Sequence, residues 1–171
     1  MKTLILMRHA KSAWDVTGTK DIDRPLNARG RKAAPRMGEW LKAQKYRPDV
    51  VLCSTAARAR ETLELVKLSL PGGAAIEYQR GLYMAEPRDL LREIGKAPAS
   101  AGTLLLIGHN PGLEILAGQL AGKGEAKTLD ALHRKLPTAG VAVIRFKAAQ
   151  WSELAPGAGE LVAFQRPRDL E

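Results

Sequence analysis

Residues 3–9, TLILMRH, set the fold: an unbroken run of apolar and β-branched side chains ends abruptly on Arg8 and His9. The same plan recurs at residues 50–58, VVLCSTAAR, and at residues 103–110, TLLLIGHN. Runs of this kind, with no polar alternation, are strands covered on both faces, as in the parallel sheet of an α/β protein. Val141 to Phe146 (VAVIRF) and Leu161 to Phe164 (LVAF) supply two further strands. Between them the periodicity turns helical. Ala33, Met37, Trp40, Leu41 and Gln44 share one stripe of a segment from about Ala28 to Gln44, in which Pro35 predicts a kink or a second start. Ser54 and Thr55 are expected N-caps for a helix carrying Leu63, Val66 and Leu70. Pro87 opens a helix with Leu90, Leu91 and Ile94, and Pro111 another with Leu113, Leu116, Ala117 and Leu120. Strands alternating with helices predict a single α/β domain over residues 1–171, with three layers and a mostly parallel central sheet flanked by helices.

Composition agrees with one soluble domain: 171 residues, 45% hydrophobic and 26% charged, with no repeat or linker. No apolar run reaches the roughly 18 residues of a membrane span, and the start is too short for a secretory signal, so no membrane partner is expected. Cys53 is the only cysteine, which excludes an internal disulfide and fits a cytoplasmic location. The net charge of +9 favours anionic partners. The basic residues are scattered along the chain and the aromatics number eight, so nucleic acid is not expected as the primary partner.

In α/β sheets ligands bind beyond the carboxyl ends of the strands. Arg8-His9, Ser54 to Arg58, and Gly108-His109-Asn110 all emerge at such ends, which brings two of the three histidines and two arginines to one edge. A histidine alone at a strand end is ordinarily a hydrogen-bonded structural residue; two of them with two arginines make a site for phosphoryl oxygens. Cys53 as a thiolate nucleophile is rejected by spacing, since Arg58 and Arg60 fall at the wrong distances along the chain for a cysteine-dependent phosphatase loop. Gly122-Lys123-Gly124 fails as a nucleotide-binding P-loop. His133 is expected to be a solvated surface residue, and no histidine pair has zinc spacing.

The segment LILMRHAKSAW (residues 4–14) resembles the Arg-His-Gly signature of the histidine phosphatase superfamily, with Ala10 in place of the usual glycine. Asp23-Arg24-Pro25-Leu26 with Arg29-Gly30, the segment from Ser54 to Thr62, and Gly108-His109-Asn110 extend the resemblance in order from Thr3 to about Leu120. Together with the short chain, they are closest to the SixA-like phosphohistidine phosphatase branch. The resemblance implies a phosphoglycerate mutase-like fold and a phosphatase that needs no metal and no cofactor. His9 would be the nucleophile, forming a phosphohistidine enzyme, while Arg8, Arg58 and His109 hold the phosphate. Ser12 could add a hydroxyl to the phosphate, and Glu86 is the nearest candidate for a general acid. Asp23 is read as a structural partner of Arg24 or Arg29. The implied partner is a phosphorylated protein histidine, with inorganic phosphate as product. The alternative is a phosphatase or mutase acting on a small phosphorylated molecule, and a basic nucleic-acid-binding module is the more distant reading. The cations should also lower the pKa of His9, keeping its lone pair free.

Overall fold

The structure, a computed structural model, describes residues 1–15 and 17–170. Seven strands form one sheet: β1 (Lys2–Arg8), β2 (Val50–Ser54), β3 (Ala75–Gln79), β4 (Thr103–Gly108), β5 (Ala121–Gly124), β6 (Val141–Phe146) and β7 (Gly159–Gln165). Their order across the sheet is β3-β2-β4-β1-β6-β7-β5. Only β6 runs against its neighbours; the β3-β2-β4-β1 half and the β5-β7 pair are parallel. The five strands read from the sequence are present, each within two residues at either end. β3 and β5 had no apolar run to announce them. Both are edge strands, and an edge does not require two covered faces. β3 (AIEYQ) is mostly exposed and β5 is AGKG.

Alternate residues along the strands feed two separate cores. Leu4, Leu6, Leu52, Leu104, Leu106 and Ile144 point to one face and meet Leu90 and Ile94 of α3 (Pro87–Gly95), Leu113 and Leu116 of α4 (Gly112–Leu120) and Leu132 of α5 (Ala126–Arg134). Ile5, Met7, Val51, Leu105, Ile107 and Val143 point to the other, where they meet Met37 and Leu41 of α1 (Ala28–Ala43) and Leu63 and Val66 of α2 (Ala57–Val66). This is the expected three-layer arrangement. Among the described residues no helix is long and apolar enough to cross a membrane.

Two local expectations are corrected. The helix α1 runs unbroken through Pro35, with no second start. Pro35 removes one hydrogen bond, but Ala34, Met37 and Leu41 are fully buried around it, and that burial holds the helix together. The buried stripe is also rotated by one position, onto Ala34 rather than Ala33, with Trp40 only half-buried. At α2 the N-cap is Ala56, with no side-chain cap. Ser54 and Thr55 lie two residues and one residue too early, and the Ser54 hydroxyl faces His109.

Candidate active site

Three central strands deliver the site. Arg8 at the end of β1 is in register with Gly108 at the end of β4, and Cys53 of β2 with Ile107. The backbone N–H of His9 donates to the Gly108 carbonyl at 3.1 Å, extending the ladder by one step. His9 and His109 therefore leave adjacent strands side by side, with ring centroids 5.2 Å apart. The Tyr83 ring stands edge-on to His109 at 5.4 Å, and the Arg58 guanidinium lies 5.8 Å from the Tyr83 ring. Arg58 comes from the first turn of α2. That helix is tied to the signature by Thr62, whose hydroxyl donates to the Arg58 carbonyl at 2.6 Å and accepts from the N–H of Ala10 at 3.0 Å. The substitution of alanine for the family's glycine is accommodated here, since Ala10 is buried and is not among the residues with positive φ.

His9, Arg58 and His109 are 7%, 2% and 2% exposed, so their chemistry is that of a nearly dry environment. The Nδ1 of His9 lies 2.7 Å from the Ala10 carbonyl oxygen. A carbonyl only accepts, so Nδ1 carries the proton and Nε2 the free lone pair. Burial pushes the His9 pKa down to about 4, with Arg58, Arg8 and Arg24 adding to the shift and the Ala10 hydrogen bond opposing it. The direction is as expected; the main cause is desolvation, ahead of the arginines. His109 is pushed down to about 3, again by burial first, then by His9 and Arg58. Its Nε2 is 2.8 Å from the Ser54 hydroxyl, whose oxygen accepts from the Ala56 N–H at 3.2 Å.

Among the described residues, the buried side-chain atoms with no hydrogen-bond partner are Arg8 Nε, Arg58 Nε, His109 Nδ1 and Thr55 Oγ1. Three belong to the residues expected to hold phosphate, and the fourth lies between β2 and Arg58 in the chain. Unpaired buried polar groups cost about 1–3 kcal/mol each unless a partner satisfies them. Among the described residues no group of three His, Cys, Asp or Glu could hold a metal ion.

The structure places the other candidates less centrally. Ser12 is buried, but its hydroxyl accepts from Arg24 Nη1 at 2.7 Å. Glu86 is the N-cap residue of α3, and its carboxylate is 68% exposed and 3.4 Å from Arg88. Arg24 pairs with Asp21 at 3.0 Å, not with Asp23, the partner expected from the sequence. Asp21 is the first residue of the 3₁₀ turn Asp21–Asp23 and stays half-exposed at the rim. Asp21 is the group that the sequence did not reveal. Its backbone carbonyl and Oδ2 accept from Arg58 at 2.7 and 3.1 Å, and Oδ2 also accepts from the Tyr83 hydroxyl. These donors hold its carboxyl at about 2, with Tyr83 the largest cause. The Arg24 guanidinium in turn stacks on the Trp14 ring at 3.5 Å. Cys53 is buried and its thiol is pushed up to about 12, in keeping with a small hydrophobe rather than a nucleophile. His133 is exposed, as expected.

Comparison with known proteins agrees with this geometry. The histidine phosphatase superfamily (branch 1) matches residues 4–83. An uncharacterised protein of Mycobacterium tuberculosis is 41% identical over 95% of this chain and the whole of its own length. Among solved structures, a candidate phosphohistidine phosphatase SixA from Nakamurella multipartitia superposes with a TM-score of 0.85 at 33% identity, over 97% of this chain and 96% of the other. A protein histidine phosphatase SixA complexed with tungstate gives 0.73 at 25% identity, over 99% of both chains. Signature, topology and similarity along nearly the full chain converge: this protein belongs to the histidine phosphatase superfamily, in its SixA-like branch.

Proposed function

We propose that this protein is a metal-independent phosphatase that removes the phosphoryl group from phosphohistidine on protein substrates. One observation carries the reading: a neutral His9, with Nε2 left free by the Ala10 carbonyl, stands beside unpartnered donors of Arg8, Arg58 and His109. Nε2 attacks phosphorus and a P–N bond to the enzyme forms as the substrate's P–N bond breaks. The departing imidazole takes up a proton from solvent water. Water then attacks the phosphohistidine enzyme, returning His9 and inorganic phosphate.

Arg8 and Arg58 offset the charge on the equatorial oxygens, and neutral His109 donates from Nδ1 when Ser54 donates its hydroxyl proton to Nε2. Ser54 is thus a positioning residue that selects the His109 tautomer. The substrate class follows from the leaving group. An alkoxide leaves poorly without a firmly held acid, whereas an imidazole leaves readily, and exposed Glu86 bonded to Arg88 is a poorly fixed acid. The SixA neighbours, one of them complexed with the tetrahedral anion tungstate, support the same reading.

The test supplies wild type, His9→Ala and Glu86→Gln with a phosphohistidine-bearing protein and, in parallel, with phosphoserine and a phosphoglycerate, in the presence of EDTA. Wild type should release phosphate fastest from phosphohistidine and carry acid-labile label on His9. His9→Ala should lose about 10³-fold or more in rate, and Glu86→Gln should stay within about threefold. Equal rates for wild type and His9→Ala would overturn the mechanism. Faster turnover of the esters would overturn the substrate class.

A further inference from the structure

Basic residues scattered along the sequence are gathered by the fold into a pocket of about 560 Å³ beside the candidate active site. Five arginines and three lysines line it, in a chain whose net charge is +9. Arg29 and Lys32 lie on one face of α1, Arg134 and Lys135 at the end of α5, and Lys11 and Arg168 close the circuit. Among the described residues no carboxylate lines the pocket, and these six cations form no ion pair. Arg166 pairs with Asp169 at 2.8 Å. The wall at Pro137 and Thr138 is fixed to the signature: the Leu136 carbonyl accepts from Arg8 Nη1 at 3.3 Å, and the Ala139 N–H donates to the Arg8 and His9 carbonyls at 3.0 Å.

So many like charges around one concavity repel one another, and the cost is relieved by a compact polyanion. We propose that this pocket binds a linear oligophosphate, a chain of three or more phosphates, at a site separate from the one at His9. The size is that of a small-molecule site. Arginines match phosphate oxygens with bidentate hydrogen bonds. Among the described residues no aromatic ring lines the pocket, so nothing there would stack a nucleobase, which argues against single-stranded nucleic acid as the occupant. The remaining lining is Ala33, Ala131, Pro137, Thr138 and Pro167, small groups that leave the cationic rim to choose the ligand.

The experiment is calorimetric titration of the full chain, at about 0.15 M salt, with inorganic tripolyphosphate, ATP, orthophosphate and a single-stranded oligonucleotide. Lys32→Glu/Arg134→Glu tests the pocket, since both side chains are exposed, and Arg58→Ala tests the active site. Tripolyphosphate should bind wild type one to one, at least tenfold more tightly than orthophosphate. It should weaken at least tenfold in the double variant and change less than twofold in Arg58→Ala. ATP binding like tripolyphosphate would identify a nucleotide tail as the source; ATP binding much more weakly would identify inorganic polyphosphate. No saturable binding, loss in Arg58→Ala with none in the double variant, or tighter binding of the oligonucleotide would each overturn the proposal. The measurement does not depend on catalysis, so it stands or falls separately from the phosphatase reading.

Discussion

Acidification from about pH 7.5 to about pH 5 should destabilise this protein by about 4 kcal/mol, through His9 and His109 alone. Both are buried, with pKa values pushed down to about 4 and about 3 from an ordinary 6.5. Below pH 6.5 the unfolded chain takes up two protons that the folded chain refuses, so stability falls with falling pH. The loss levels off only once the folded-state values are passed. At about pH 5 each histidine is about 1.5 units below its unfolded pKa and about 1.4 kcal/mol is lost per unit, hence about 2 kcal/mol apiece. In urea unfolding, with a slope of about 2 kcal/mol per M, the midpoint should drop by about 2 M between the two conditions. The control is His109→Gln, which retains one source of the effect and should lose only about half as much. Carboxylates contribute equally to both proteins and cancel in the comparison. A wild-type midpoint that stays level across this range, or a variant that falls as steeply as wild type, would refute the assignment of two neutral buried imidazoles.

Two substitutions test how the site is supported. A Cβ at Gly30 would lie 2.1 Å from the Lys11 carbonyl oxygen, so Gly30→Ala must push the signature loop or the start of α1 aside. It should cost about 1–3 kcal/mol in thermal or urea unfolding and slow phosphate release, whereas Gly81→Ala, with open space around it, should change neither. Asp21→Asn removes the charge that holds Arg58, Arg24 and the Tyr83 hydroxyl together. Because the Asp21 side chain is 47% exposed, stability should change by less than about 1 kcal/mol. Steady-state kinetics should show KM raised severalfold with kcat nearly kept; a selective loss of kcat would instead place Asp21 in the chemistry.

The central half of the sheet was legible because β1, β2 and β4 are buried on both faces and must be apolar throughout. His9 and His109 were legible for the same reason, being polar residues at the abrupt ends of such runs. Edge strands β3 and β5 carry no such obligation and left no pattern. Ser54 could be seen as polar at a strand end, but its partner His109 lies 55 residues away, and capping of α2 was the nearer local explanation. The grouping of Asp21, Tyr83 and Arg58 spans 62 residues, and nothing in local periodicity reports it. The same holds for the basic pocket, whose members are ordinary surface positions in each element taken separately.

The direction of β1 has a practical consequence. Chain enters this strand at Lys2 and reaches His9 only after the full length of the element, about 20 Å at roughly 3.3 Å per residue. A fluorophore or purification handle joined ahead of Met1 would therefore hang at the far end of β1 from His9, leaving the candidate site unobstructed.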